Sequence, residues 1–288
     1  MIALSRRQFL VRSAGVGAAT MLTSRLSLAQ QDEQMLRVAL ICDTHTNRET
    51  KNDMPLFAPR FDAVIEDVNT QKVDLILLGG DLTESGKPDT IVDFKAQSER
   101  LVGRKLFVPG NHDIGAKLVE GQKSGLSAER VARFEKDFGP SFWVDQSSGA
   151  RIVGINASIL GSGLEREAQQ WEFLEKALEK PVEAPFGTHL LTHYPPYLKS
   201  PDEASDPYWN IEPAPRARLL ALLKRARVRG VFSGHLHYPL FNENDQMQFI
   251  TAPPVSFGLP RDKQPQGWTL ISIARGGAVT YQNRFIAI

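Results

Sequence analysis

Cysteine is nearly absent from this sequence, which has a single residue of that type, Cys42, among its 288 residues. An internal disulfide framework is therefore excluded as a source of stability. Cys42 lies inside an apolar run, and this position favours a small buried thiol. The chain must instead depend on a hydrophobic core, and its 42% hydrophobic and 23% charged residues are typical of a soluble globular protein.

The chain also lacks a large excess of charge of either sign, since its formal net charge is +1. That charge is placed unevenly: residues 1–29 contain four arginines and no acidic residue, so the rest of the chain carries a net charge of −3. Proteins that bind polyanions usually present a basic patch. We therefore expect no nucleic-acid partner.

The N-terminal segment contains no long apolar run. Its weakly apolar part, Ala14–Leu22, follows the pair Arg6-Arg7 and precedes a small-residue exit at Ser27–Ala29. A basic start, a short apolar region and a small-x-small exit are typical of a secretory signal, and the arginine pair followed by Phe and Leu resembles a twin-arginine signal. The apolar part is too short for a permanent membrane anchor.

We therefore predict that residues 1–29 are a twin-arginine signal peptide and that residues 30–288 form a single domain. The expected partner is the twin-arginine export machinery, and the expected location is periplasmic or secreted. The alternative is an ordinary N-terminal helix. Gly15, Gly17 and the lack of acidic residues argue against that helix.

The strongest pattern in the chain is a repeated one, in which five apolar runs of strand length each end in polar residues. In open α/β sheets, functional sites form at the carboxyl ends of strands. Segments with helical spacing separate the first three runs, so we predict βαβ units and a parallel sheet. The short runs of residues 238–288 predict antiparallel strands. The residues at the ends of the five runs are Asp43, His45, Asp81, Asn111, His112, Asp113, His193, His235 and His237.

Seven of these residues form a typical donor set for metal ions, with two carboxylates, four imidazoles and one amide oxygen. One ion cannot use all seven, but two ions roughly 3.5–4 Å apart could share Asp81. The imidazole-rich set favours Zn, Fe or Mn over Ca or Mg. Such a pair would attract a phosphate oxyanion and activate a bridging water for in-line attack on phosphorus. The seven are Asp43, His45, Asp81, Asn111, His193, His235 and His237.

Five blocks of sequence together resemble a known family. DTH, GGDLT, GNHD, THYPP and GHLH, in this order and with these gaps, resemble the calcineurin-like metallophosphoesterases from about Val38 to His237. The resemblance implies an α/β/β/α sandwich with four layers. It also implies a metal site of Asp43, His45 and His237, a second of Asn111, His193 and His235, and Asp81 as the bridge between them.

The resemblance implies two further roles in catalysis. His112 would contact the phosphate or protonate the leaving oxygen, and Asp113 would orient His112 through a hydrogen bond. The match is greatest to the cyclic-nucleotide and glycerophosphodiester phosphodiesterase-like branch, because of FGP at residues 138–140 and Trp171 on the following helix. Purple acid phosphatases place a tyrosine after the bridging aspartate, where this chain has LTE.

We therefore expect an exported hydrolase of small phosphoric esters that uses two divalent transition metal ions, and a phosphodiesterase rather than a monoesterase. Two alternatives remain. A nuclease on the same fold is disfavoured by the net charge of −3 and by the absence of a basic stripe. A non-catalytic metal-binding scaffold would usually have lost ligands, and this chain retains all seven.

Several other residues have less specific signals. His189 precedes His193 by four residues on a predicted strand and is expected to be structural. Glu84 and Asp89 are expected to be solvated surface acids. Four aromatic residues after the fourth strand predict either a substrate rim or simple loop packing. They are Tyr194, Tyr197, Tyr208 and Trp209.

Overall fold

The computed structural model describes residues 35–50, 55–118, 125–206, 208–261 and 263–287. From Leu36 onward the chain forms one compact unit. The predicted signal peptide of residues 1–29 lies outside the described residues and stays a prediction. Among the helices that the structure describes, none is long and apolar enough to cross a membrane.

The first sheet has five strands and contains the first three predicted runs. Strands β1 (Leu36–Ile41), β2 (Leu75–Leu78) and β3 (Arg104–Phe107) pair in parallel, as the βαβ pattern predicts. Strands β10 (Gly267–Ile273) and β11 (Val279–Phe285) extend this sheet beyond β1 in antiparallel pairs. The order is β11-β10-β1-β2-β3, so the three ligand-bearing strands are neighbours.

The second sheet has six strands in the order β4-β5-β6-β7-β9-β8. The prediction that the tail is wholly antiparallel is wrong for β9, which pairs in parallel with β7. The reason is topological: β8 lies at the outer edge, and a tight turn returns the chain as β9 beside β7. The strands are β4 (Trp143–Asp145), β5 (Arg151–Gly154), β6 (Thr188–Leu191), β7 (Gly230–Ser233), β8 (Leu240–Asn244) and β9 (Met247–Thr251).

Helices lie on both outer faces of the two sheets. Three of them begin at or next to a proline, which favours the first helical turn because its missing N–H would be unpaired there in any case. A 3-10 turn spans Ala157–Ile159. The α-helices are α1 (Ala58–Thr70), α2 (Pro88–Ser98), α3 (Asn111–Ile114), α4 (Ala128–Phe138), α5 (Glu165–Ala177) and α6 (Pro213–Arg225).

Three hydrophobic cores show that the layers follow the order α/β/β/α. Val38 and Leu40 of β1 pack in the core between the sheets, whereas Ala39 and Ile41 pack in the core under α1, α2 and α4. This alternation follows from the opposite orientation of successive side chains along a strand. A third core joins the second sheet to α5 and α6. The predicted four-layer sandwich is confirmed.

Candidate metal centre

The polar residues that follow the strands meet at one edge of the sandwich. Strands β1, β2 and β3 of the first sheet and β6 and β7 of the second end there. Because parallel strands end on the same side of a sheet, the short loops after them converge. The structure brings together all seven predicted ligand side chains, and their role as ligands stays a prediction.

Five of the seven residues adopt a backbone conformation that is rare for residues other than glycine. The φ angles are 57° at Asp43, 47° at His45, 49° at Asp81, 72° at His235 and 58° at His237. Left-handed φ values cost free energy for residues with a Cβ, and they concentrate at functional sites. These backbone conformations lower the local stability of the loops, and they set the direction in which the five side chains point.

The first group of candidate ligands is formed by Asp43, His45, Asp81 and His237, all buried. The Nε2 atom of His45 lies 3.2 Å from Nε2 of His237 and 3.5 Å from Oδ2 of Asp81. Oδ1 of Asp43 lies 3.7 Å from Nε2 of His237. Atoms at these separations can surround one small cation.

The second group is formed by Asp81, His193 and His235, with Asn111 beside them. Nε2 of His193 lies 3.3 Å from Oδ2 of Asp81 and 3.1 Å from Oδ1 of Asn111. Asp81 is therefore common to both groups. The resemblance assigns the same division of the ligands.

The two oxygens of Asp81 have different environments. Oδ1 accepts a hydrogen bond of 2.8 Å from the backbone N–H of His112, whereas Oδ2 faces both His45 and His193. A Cβ on Gly110 would lie 2.1 Å from Oδ1, so only glycine allows the loop after β3 to approach this closely. One oxygen of the carboxylate is held, and the other lies between the two groups.

Hydrogen bonds at the outer nitrogens orient the imidazoles of the first group. Nδ1 of His45 donates to Oε2 of Glu84 at 2.7 Å, and Nδ1 of His237 donates to the carbonyl oxygen of Phe257 at 2.5 Å. With Nδ1 protonated, each neutral ring directs a lone pair from Nε2 into the site. These two lone pairs face each other at 3.2 Å, which is an arrangement that a cation between them would stabilise.

The second group has the same outer arrangement. Nδ1 of His193 donates to the carbonyl oxygen of Gly79 at 2.8 Å, and Nε2 of His235 donates to the carbonyl oxygen of Tyr208 at 2.8 Å. His235 therefore presents Nδ1 to the site, and the other three histidines present Nε2. Each imidazole is held by an acceptor on its far side, which is the pattern found around metal-bound histidines.

Burial favours the neutral form of three of the four imidazoles. At His193 burial opposes the charge too, but the carboxylate of Asp81 outweighs it and raises the pKa to about 9. Desolvation lowers the pKa of His237 to about 3 and lowers the pKa of His45 and of His235. Desolvation also raises the pKa of Asp43 to about 7. Two buried carboxylates and several nitrogen lone pairs therefore face one another, and few hydrogen-bond donors lie between them. The residues fit a pair of divalent transition metal ions, which prefer imidazole ligands.

His112 lies at the edge of this site and is the predicted proton donor. Its ring centroid is 4.4 Å from that of His45, its side chain is 29% exposed, and its Nδ1 donates to the carbonyl oxygen of Glu84 at 2.9 Å. Burial opposes a charge on His112, but the carboxylates of Asp81 and Glu84 outweigh it and raise the pKa. The two carboxylates therefore favour the protonated form of this ring.

The prediction that Asp113 forms a hydrogen bond with His112 is wrong. The Asp113 carboxylate instead accepts hydrogen bonds from the backbone N–H groups of Leu82, Thr83 and Gly110 and from the Thr83 hydroxyl, at 2.9–3.2 Å. The reason is that α3 begins at Asn111, which directs Asp113 back toward the loop after β2. Asp113 therefore fixes that loop, and its role in catalysis stays a prediction.

Glu84 is the residue whose role the sequence reasoning missed. It was expected to be a solvated acid, yet its carboxylate holds His45 and lies 3.6 Å from Nδ1 of His112. Its side chain is 28% exposed. The sequence feature that could have indicated this role is the position of Glu84, three residues after Asp81 on the same loop.

The remaining candidates divide into structural and site-lining residues. His189 is buried, donates from Nε2 to the carbonyl oxygen of Phe186 at 2.8 Å and stacks on Phe232, as expected of a structural residue. Tyr197 packs against Phe249, away from the candidate ligands. Three rings surround His235 at centroid distances of 4.2–5.6 Å. They are Tyr194, Tyr208 and Trp209.

With this geometry established, comparison with known proteins identifies the family. A model of the calcineurin-like phosphoesterase family matches residues 36–239, which include every candidate ligand. This chain belongs to the calcineurin-like phosphoesterase family. The family assignment agrees with the resemblance of the five sequence blocks.

Relatives within this family carry different names. The chain is 30% identical over 206 residues to a serine/threonine-protein phosphatase, CPPED1, of Danio rerio, covering 66% of this chain and 62% of that protein. It is 30% identical over 190 residues to a cAMP/cGMP dual specificity phosphodiesterase of Mycobacterium tuberculosis, covering 62% of this chain and 54% of that protein. The match to a probable cyclic nucleotide phosphodiesterase of Rhodococcus erythropolis is 29% over 170 residues, covering 57% and 52%. The chain thus spans between about half and two thirds of these relatives.

Solved structures of the family share the fold. A purple acid phosphatase from yellow lupin aligns with a TM-score of 0.61 at 15% identity, covering 86% of this chain and 51% of that one. A dimetal phosphatase from Danio rerio aligns with a TM-score of 0.54 at 13% identity, covering 86% and 98%. At these identities the likeness shows the fold alone, and it supports the four-layer sandwich.

Proposed function

We propose that this protein is a metal-dependent phosphoesterase that hydrolyses a small phosphodiester or phosphomonoester with the help of two divalent transition metal ions. The observation that carries the proposal is the position of Oδ2 of Asp81, 3.5 Å from Nε2 of His45 and 3.3 Å from Nε2 of His193. Two ligand groups that share one carboxylate oxygen suit two ions rather than one. Mn, Fe and Zn all suit this donor set.

The metal residues would divide as the sequence blocks imply. Asp43, His45 and His237 would hold one ion, Asn111, His193 and His235 the other, and Asp81 both. When bound, the ions would neutralise charge on the phosphoryl oxygens and activate a water for in-line attack on phosphorus.

The protein residues would contribute orientation and a proton. Nδ1 of His112 donates to the carbonyl oxygen of Glu84, which leaves Nε2 to protonate the leaving oxygen. The neighbouring Glu84 carboxylate favours the protonated form of His112. The Glu84 side chain also accepts a hydrogen bond from the candidate ligand His45. Glu84 therefore contacts both the proposed general acid, His112, and the first group of candidate ligands.

Within this class we propose a phosphodiester as the preferred substrate. Two of the relatives described above are named as cyclic nucleotide phosphodiesterases, and the sequence blocks favour the same branch. The Danio rerio relative is named as a protein phosphatase, so a phosphoserine peptide is the second candidate substrate. We further propose export through the twin-arginine route, on the basis of Arg6-Arg7 and the short apolar segment after it.

The test of the activity is a substrate panel on the metal-reconstituted protein. We expect metal-dependent hydrolysis of bis-p-nitrophenyl phosphate and of 3′,5′-cyclic AMP, with less on p-nitrophenyl phosphate and on a phosphoserine peptide. Asn111→Ala and His193→Ala should abolish it. Asn283→Ala on strand β11 is the matched control. Full activity in both ligand variants, or hydrolysis that survives complete chelation, would contradict the proposal.

The test of export is separate from the test of activity. Replacing Arg6 and Arg7 together by lysine should leave the protein in the cytoplasm of a bacterial host that has the twin-arginine machinery. Secretion that is equal with and without the arginine pair would contradict export by this route. It would not affect the proposed chemistry.

A further inference from the structure

The segment between Tyr194 and α6 contacts the second ligand group through Tyr208. Its described residues are 195–206 and 208–212, and it is called here the β6–α6 loop. The carbonyl oxygen of Tyr208 in this loop accepts the hydrogen bond from Nε2 of His235 at 2.8 Å. The Tyr208 ring lies on the same imidazole, with 4.9 Å between the ring centroids. Tyr208 therefore restrains His235 through both its backbone and its side chain.

The side chain of Tyr208 also reaches Asn111, the amide ligand of the second group. Burial raises the pKa of the Tyr208 phenol to about 12, and the nearby Asn111 side chain partly offsets this rise. Oδ1 of Asn111 faces Nε2 of His193, 3.1 Å away. A single residue thus contacts two of the candidate ligands of one group.

An ion pair between a buried lysine and a partly buried glutamate anchors the β6–α6 loop near Tyr208. Nζ of Lys117, whose side chain is 4% exposed, lies 2.8 Å from Oε1 of Glu212 and donates to the carbonyl oxygen of Asn210. The hydroxyl of Ser205 donates to the other oxygen of Glu212. These contacts close the loop on both sides of Tyr208.

The first ligand group has different supports. The acceptors behind His45 and His237 are Glu84, on the loop after β2, and Phe257, on the segment after β9. Neither lies in the β6–α6 loop. A change in the position of this loop should therefore affect one group of ligands and spare the other.

We propose that Tyr208 is a positioning residue for the second metal ion, and that the Lys117–Glu212 pair sets the affinity for that ion by anchoring the β6–α6 loop. The inference rests on the proposed function, because it assumes that two ions bind. Hydrogen bonds that orient metal ligands typically change metal affinity by about 10–100-fold when they are removed. The effect should therefore be measurable in binding, without reference to turnover.

The experiment is a titration of the metal-free full-length protein with Mn²⁺, in which electron paramagnetic resonance measures the unbound ion. Tyr208→Phe removes the phenol oxygen and keeps the ring, Tyr208→Ala removes both, and Glu212→Gln weakens the anchor. Glu175→Gln is the matched control, since it breaks ion pairs of α6 with α5 on the outer surface at Arg218 and Arg225. Thermal unfolding confirms that each variant is folded.

The expected result is a selective loss. The wild-type protein and Glu175→Gln should bind two ions. Tyr208→Ala and Glu212→Gln should bind the second ion about 10–100-fold more weakly and the first ion unchanged, and Tyr208→Phe, which keeps both the ring and the backbone acceptor of His235, should lose less. Wild-type affinity for both ions in every test variant would overturn the inference and leave the proposed function standing. An equal loss at both sites would also overturn it. A wild-type protein that binds fewer than two ions would contradict the proposed function itself.

Discussion

The backbone N–H of His112 donates a hydrogen bond of 2.8 Å to Oδ1 of Asp81. The residue that is placed to protonate the leaving group therefore also holds, through its main chain, the carboxylate shared by the two ligand groups. Side-chain substitution at His112 leaves this N–H in place. The two roles of His112 can consequently be separated by experiment.

The first prediction concerns the proton that His112 supplies. His112→Gln should lower kcat for 3′,5′-cyclic AMP, whose leaving oxygen is an alkoxide, by about 10²–10⁴-fold. It should lower kcat for bis-p-nitrophenyl phosphate much less, because nitrophenolate leaves without protonation. Steady-state kinetics on the two substrates provides the measurement. His189→Gln is the matched control, and an equal loss on both substrates would argue that His112 does not act as the acid.

The second prediction separates Asp113 from the catalytic residues. Asp113→Ala leaves three backbone N–H groups and the Thr83 hydroxyl without their acceptor, and it should lower the free energy of unfolding by about 3 kcal/mol. Asp113→Asn, which retains one oxygen, should cost less. Urea unfolding measures both variants. Unchanged stability together with lost activity would restore the catalytic role first expected of Asp113.

The third prediction concerns Glu84 and the first ion. Glu84→Gln weakens the acceptor behind Nδ1 of His45, and it should weaken binding of the first ion by about tenfold while the second ion binds as before. Metal titration gives the two dissociation constants. Asp89→Gln, on the nearby surface, provides the control for loss of an acid. Wild-type binding of the first ion in Glu84→Gln would show that the contact to His45 does not orient the ligand.

The fourth prediction is a pH dependence that arises outside the site. Burial lowers the pKa of His189 to about 4, and its Nδ1 has no hydrogen-bond partner among the described residues. The unfolded chain takes up a proton at His189 below about pH 6.5, and the folded protein does so only near pH 4. His189 should therefore remove stability as the pH falls from about 6.5 to about 4, by up to about 1.4 kcal/mol per pH unit.

The check is urea unfolding of the metal-free protein across that pH range. In His189→Gln the free energy of unfolding should fall less steeply with decreasing pH than in the wild-type protein. Above about pH 7 the two curves should run parallel, because neither protein then takes up a proton at this position on unfolding. Identical slopes below pH 6.5 would show that His189 is protonated, or solvated, in the folded state.

Much of the fold and most of the site follow from local sequence patterns. Apolar runs that end in Asp, Asn or His mark the buried strands and the loops after them, and the convergence of parallel strand ends brings those loops together. The seven candidate ligands, from Asp43 to His237, could be predicted for this reason. The alternation of strands and helices predicted the parallel part of the sheet, whereas the four-layer sandwich was implied by the resemblance of the five sequence blocks to the family.

The remaining features depend on contacts between distant segments. Glu84 faces His45 across two loops, and Tyr208 reaches His235 from a segment 27 residues away in the sequence. The direction of β9 depends on the edge position of β8, which short apolar runs do not reveal. Asp113 follows the start of α3, and a four-residue helix has too weak a sequence signal to be predicted.

The most direct test of the account is the position of two ions around Asp81. Anomalous diffraction from crystals of the Mn²⁺-loaded protein should show two peaks of similar height about 3.5–4 Å apart, with Oδ2 of Asp81 between them. Asp81→Asn should abolish at least one peak. A single peak in the fully loaded wild-type protein, or two peaks that do not share Asp81, would contradict the dinuclear centre proposed here.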